Sequence, residues 1–282
     1  MPGAPAPAPQ MMTTVTEISR HRELFLNLTL RELRGKYKRS ILGWGWSLLN
    51  PLAQMAVYSL VFGFFLKVEP PVGDPSGLHV FAFFLLCGLL PWTYLSNALT
   101  SGMDALLANA NLVKKVWFPR ELLVGATVGA WGVSFLIELG VLSVILLLAG
   151  NMVIPWLVPV IGIALLQTAF VLGLCLALAV WSVYLRDLKY LVGIALQIWF
   201  YATPIVYPVR VVEEALEHHP RLLMLYEMNP MGRFAEVYRD LLYHLRFPPL
   251  HDVVYLAACA GVAMLIGLMA FRSLDGRLAE EL

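Results

Sequence analysis

Long runs without a charged side chain alternate with short basic stretches along this chain. Ile41 to Leu66 is the first such run, 26 positions long. That is enough for a helix to cross a hydrocarbon core of about 30 Å with some tilt. Pro75 to Met103 is the second, with a helix predicted to start near His79 and a kink or break at Pro91. Leu122 to Ala149 is the third, interrupted by a single acid, Glu138. From Leu139 to Leu185, 47 residues pass without charge. As one helix they would extend about 70 Å, more than twice the core, so the chain must turn. Gly150, Asn151, Pro155 and Pro159 mark the turn, and a fourth span follows from about Met152 to Leu185. Tyr190 to Val209 is predicted as the fifth span and Val253 to Phe271 as the sixth.

Three further stretches are amphipathic. Ile18 to Arg39 repeats Leu24, Phe25, Leu28 and Leu33 at helical spacing, with Arg20, Arg31 and Arg34 mostly on other faces. Such a helix is expected to lie flat in the headgroup layer, as a basic anchor or as a surface for an anionic headgroup or a partner protein. Ala108 to Arg120, ANANLVKKVWFPR, reads as a short helix closed by Phe118-Pro119; on composition alone it is an ordinary connecting turn. Arg210 to Asp252 predicts two short helices around Met228-Asn229-Pro230, with Phe234, Tyr238, Leu241, Leu242 and Leu245 in one stripe. Neither is long enough to cross. They dock on the outer surface or dip into the bilayer and return.

Composition agrees with a membrane protein. Hydrophobic residues make up 59% and charged residues 14%, with mean hydropathy +0.72; soluble domains carry about 25% charged residues. A net charge of +1 argues against a nucleic-acid partner. Cys87, Cys175 and Cys259 each stand alone in an apolar run, as small buried hydrophobes do. The Pro- and Ala-rich leader, Met1 to Gln10, is expected to be flexible. Fourteen Lys and Arg residues, seven of them before Gly43, fall on one side of the six-span arrangement and six on the other. The excess of positive charge places both termini in the cytoplasm.

The chain has no G-x-x-x-x-G-K-[ST] loop and no H-E-x-x-H motif, so it carries neither a phosphate-binding ATPase device nor a zinc site of that kind. Glu138 would be costly if it faced lipid. It is either a proton or cation site, as in an ion-coupled secondary transporter, or an acid hydrogen-bonded across a dimer or to Ser134 or Ser143. Gly125-x-x-x-Gly129, followed by Gly132, offers a close-packing face on the same helix. Most aromatic residues fall near span ends, as in any aromatic belt. Rings also stack on the apolar C–H faces of sugars, which makes Phe200, Tyr201 and Tyr207 candidates for the lining of a passage.

Several segments together carry a family likeness. The run RELRGKYKRSILG from Arg31 to Gly43, then Trp46 and Pro51, resembles the start of the membrane subunit of type 2 ABC exporters of polysaccharide. Asn109 to Glu121, NANLVKKVWFPRE, is similar to the family's segment after the second span. Arg186-Asp187-Leu188, Thr203-Pro204-Ile205 and Asn229-Pro230-Met231 match its later landmarks in order.

The resemblance implies an all-α integral membrane protein with six transmembrane helices, an interface helix and two short re-entrant helices. Its divisions are a leader over 1–16, the interface helix over 17–40, the six-span domain over 41–275 and a cytoplasmic tail over 276–282. Arg31, Arg34, Lys36, Lys38 and Arg39 are implied to face the headgroup of a lipid-linked cargo. Asn109, Leu112, Val113, Lys114 and Lys115 are implied to form a coupling helix, and Arg186 and Asp187 a smaller second contact. Trp46, Phe200, Tyr201, Tyr207, Met228, Asn229 and Pro230 are implied for the channel or gate.

The implied assembly is a homodimer with two copies of a cytoplasmic ATPase subunit that binds ATP and Mg, in a bacterial plasma membrane. This chain itself is then neither an enzyme nor a cofactor carrier. The implied cargo is a glycan on an isoprenoid pyrophosphate, O-antigen-like or teichoic-acid-like. Rigid-body motion driven by the ATPase would open and close the passage. The rival readings are an ion-coupled transporter centred on Glu138 and a membrane enzyme acting on lipid-linked sugars.

Overall fold

The computed structural model describes residues 15–36, 42–68, 70–115 and 118–274, and the described residues form helices without strands. The leader up to residue 14, Lys38, Arg39 and the tail lie outside them. Among the described residues, five helices are long and apolar enough to cross a membrane. α2 (Trp46–Tyr58) runs on through a wider π-helical segment, Ser59–Phe65. α3 is Phe81–Ala108, α5 Glu121–Leu148, α6 Leu157–Tyr184 and α11 Leu250–Leu274. The shorter α7, Leu188–Tyr201, is about 21 Å long at 1.5 Å per residue.

α3 and α6 form the centre, with α5 and α11 against them and α2 on the outside. α6 and α11 make the closest approach. A Cβ on Gly173 would fall on the Ala263 and Met264 backbone, and one on Gly267 on the Gly173 carbonyl. Small residues at such a crossing let two backbones touch, which replaces the hydrophobic drive that lipid does not supply.

One end of the bundle is marked by α4 (Ala110–Lys115), which joins α3 to α5. There Lys189, at the start of α7, pairs with Asp104 near the end of α3, and Tyr184 Oη donates to the Leu274 carbonyl. The opposite end gathers the loop before α3, the turn around Gly150 (φ +90°) and the segment before α11.

The structure bears on four expectations. α3 continues through Pro91 without a break, and the Pro91 carbonyl accepts from Gln167 Nε2 at 2.8 Å. The fifth apolar run is helical only to Tyr201, because Pro204 and Pro208 supply no N–H and disfavour helix before them. α10 (Pro230–Tyr238) and its π-helical continuation, Arg239–His244, do not rest on a surface: Phe234, Tyr238, Leu241 and Leu242 are buried among α3, α6 and α11. α1 (Val15–Lys36) meets a partner helix within the chain. It packs along α5, with Leu28 and Leu33 buried and Phe25 and Thr29 on the Gly125–Gly129 face. That glycine face was legible in the sequence; its occupant was not.

Candidate functional site

Between α2, α3 and α7 lies an open groove of about 480 Å³. Thr93, Ser96, Asn97 and Thr100 line it from α3 at positions i, i+3, i+4 and i+7, one face of a helix. α7 contributes Gly193, Gln197, Phe200 and Tyr201, and α2 contributes Gln54 and Tyr58 at i and i+4. None of the lining residues is charged. Six uncharged polar side chains therefore share one face of an otherwise apolar bundle.

The groove is graded along its length. Its polar half, with Thr100, Asn97 and Gln197, is nearer the α4 end. Aromatic rings collar the other half. Trp92 meets Phe200 at 5.6 Å and Trp199 at 5.7 Å between ring centres, and Tyr58 meets Phe200 at 6.1 Å. Tyr201 continues the collar against Phe200 at 5.2 Å.

α10 fixes the height of this collar. Asn229 caps α10 by accepting from Met231 N, and its Oδ1 also accepts from Trp199 Nε1 at 2.8 Å. Its Nδ2 donates to the Ala202 carbonyl at 3.1 Å and Thr203 Oγ1 at 3.0 Å. Tyr207 Oη donates to the Tyr201 carbonyl at 2.6 Å. The fully buried Arg239 donates to the Pro204 and Ile205 carbonyls at 2.6 and 2.7 Å, pairs with Glu236 and stacks over Phe84 at 3.7 Å. One side chain thus ties the turn after α7 to both α10 and α3.

The structure therefore brings Phe200, Tyr201, Tyr207 and Asn229 together, with Pro230 in the first turn of α10. The Met228 carbonyl accepts from Tyr255 Oη, and Trp46 stands exposed at the start of α2, apart from the groove. Sequence reading missed Gln54, Thr93, Ser96, Asn97, Thr100, Gln197 and Arg239. The i, i+3, i+4, i+7 spacing on α3 was the signal that would have found the polar face.

At the α4 end, Asn111, Lys114, Lys115, Arg186 and Asp187 are exposed on one side of the molecule, with Leu112 half-buried. Val113 is buried and seats α4 on the bundle. Asn109 donates to the Ala105 carbonyl and accepts from Arg31 Nη2 at 2.7 Å, so Arg31 ties α1 to the α3–α4 junction. Arg34 is exposed. Lys36 is half-buried and turned onto α5, donating to Ser134 Oγ at 2.9 Å above the Trp131 ring. Burial draws its ammonium down to about 8, opposed by the charge of Glu138.

Residues 23–243 match the family model described as ABC-2 type transporter. The chain belongs to the ABC-2 type transporter family. This transporter is also 31% identical to the O-antigen export system permease protein RfbA of Myxococcus xanthus over 272 residues, covering 96% of this chain and 100% of that protein. Two proteins of the same name from Klebsiella pneumoniae are 27% identical over 264 and 265 residues, each covering 92% of this chain and 95% of theirs. The family match runs from within α1 to the π-helical continuation of α10, so it takes in all three helices of the groove. The chain is accordingly the membrane permease of an ABC transporter, and the reading as an ion-coupled transporter is not favoured. With no phosphate loop of its own, the permease works with an ABC ATPase subunit.

Proposed function

We propose that this permease exports a lipid-linked polysaccharide of the O-antigen class, and that the groove between α2, α3 and α7 is half of its passage. The observation that carries this reading is the composition of the groove: uncharged hydrogen-bonding groups below, an aromatic collar above. A polymer of sugars presents hydroxyls and apolar C–H faces in turn. Neutral amides and hydroxyls exchange hydrogen bonds with it at about 1 kcal/mol each, whereas charged groups would hold it harder. Rings let sugar faces slide between contacts. The names of the three relatives support the cargo class.

A groove open along its side becomes a channel when a second copy closes it, which supports a homodimer. The termini and the α4 end face the cytoplasm, in keeping with the distribution of Lys and Arg. Lys114, Lys115, Arg186 and Asp187 then face two copies of an ATPase subunit that binds ATP and Mg. Arg31 and Arg34 lie at the level where an isoprenoid pyrophosphate would arrive. α7 with the following turn counts as the fifth span and α11 as the sixth, and α8 (Val209–Ala215), α9 (Pro220–Glu227) and α10 form the re-entrant portion between them.

Two measurements test the reading. Affinity purification from native membranes should bring an ABC ATPase subunit with the permease; polysaccharide export by the permease without any ATPase would refute the proposal. Replacing Asn97 and Gln197 together with leucine removes two hydrogen-bonding groups, so surface polysaccharide should fall roughly tenfold to thirtyfold at unchanged permease level. Unchanged export would remove the groove from the path.

A further inference from the structure

Past its first residue, α5 carries one acid, Glu138, and it stands against an apolar wall of Leu48 and Leu52 from α2 and Leu86 and Leu90 from α3. An isolated carboxylate there is unfavourable unless a partner meets it. The cation whose charge acts on it lies 102 positions earlier in the chain and reaches α5 one turn away, at Ser134. Lys36, at the end of α1, donates to Ser134 Oγ at 2.9 Å, lies 3.0 Å from the centre of the Trp131 ring, and interacts electrostatically with Glu138.

Trp131, Ser134 and Glu138 occupy positions i, i+3 and i+7, so they form one strip on α5. Trp131 is itself oriented by its Nε1–H, which donates to Ser101 Oγ of α3 at 2.9 Å. About two and a half turns earlier on α1, Phe25 and Thr29 sit over Gly125 and Gly129. α1 is thus clasped to α5 by apolar contact at one point and by a charge at another. The apolar clasp fixes how close the helices come. It does little to fix their axial register, because a ring on a glycine surface slides. A charge near a single acid in an apolar wall does fix register, since moving either by one turn takes the two charges apart.

We propose that Lys36 and Glu138 are paired positioning residues that hold the N-terminal helix in register on α5, so that the two move as one body while cargo passes. The pair assigns Glu138 a structural partner inside the protein instead of a transported ion. It rests on the exporter reading only where export is the readout.

The test uses the full chain in membranes. A Cβ on Gly129 would lie 3.6 Å from the Thr29 side chain, so Thr29→Cys with Gly129→Cys should form a disulfide under mild oxidation. Its yield reports the α1–α5 register whatever the cargo is. Lys36→Met and Glu138→Gln, each alone, should lower that yield and lower export, each by at least about threefold, because each leaves one charge without its partner. Combining the two should cost less than the product of the single losses, because the double variant strands no charge. Single variants that leave the disulfide yield unchanged, or losses that simply multiply, overturn the proposal. Loss of flux in Glu138→Gln with an unchanged disulfide overturns it in favour of an ion site. Should Lys36→Met fail to accumulate, the isosteric Glu138→Gln decides by the same yield. A normal disulfide response without polysaccharide export would leave the pair standing and remove the cargo assignment instead.

Discussion

Replacing Gly173 with valine should leave almost no folded permease in the membrane. The new Cβ would fall inside the backbone of Ala263 and Met264, and backbone cannot rotate aside as a side-chain tip does. Overpacking a core typically costs about 1–3 kcal/mol, and a clash with backbone lies beyond the top of that range. Gly267→Val should act alike, because its Cβ would meet the Gly173 carbonyl. The measurement is the yield of monodisperse protein after detergent extraction, with its melting temperature. Gly140→Val on α5 is the control, since nothing lies within 4 Å of a Cβ there. Gly173→Val with a normal yield and melt would show that α6 and α11 do not touch in this way.

Arg239→Met should be the second severe change, and it should reach the groove. Methionine keeps much of the volume over Phe84 but abandons the Pro204 and Ile205 carbonyls and the Glu236 carboxylate. The Pro204 and Ile205 carbonyls would stay buried without this donor, at about 1–3 kcal/mol each, while the partly exposed Glu236 can turn to water. The carbonyls it abandons belong to the turn that sets the position of Phe200 and Tyr201. Export should therefore fall further than protein level does, and crosslinks between cysteines placed at Tyr58 and Tyr201 should spread in yield. Arg239→Lys tests the fork: one ammonium cannot serve both carbonyls and the carboxylate in the guanidinium's geometry, so rescue should be partial. Full activity in Arg239→Met would mean that the turn holds without it.

The spans were legible because a bilayer imposes a local rule. A segment in hydrocarbon must be apolar for about 20 residues and must satisfy its own backbone as a helix. Charge-free runs therefore marked α2, α3, α5, α6 and α11 to within a few residues. The same rule failed for Tyr190 to Val209, where the run was apolar enough but Pro204, Pro208 and the bonds from Asn229 end the helix at Tyr201. Nothing local singled out Arg239, because the carbonyls that surround it belong to a distant turn. Glu138 looked solitary for a related reason, since its cation lies in a helix that does not cross.

By itself, the sequence determined which segments are long and apolar enough to enter a bilayer, that this chain holds no G-x-x-x-x-G-K-[ST] loop, and to which family the order of motifs points. Each of these depends on residues close together in the chain. Tertiary structure alone decided that Gln54, Asn97 and Gln197 share one groove, that Asn229 and Arg239 fix its aromatic collar, and that Lys36 reaches α5 at Ser134, one turn from Glu138. Those depend on which helix faces meet, and that is settled by side-chain volume and pairing between residues far apart in the chain, such as Phe84 and Arg239, 155 positions apart, which no local pattern encodes.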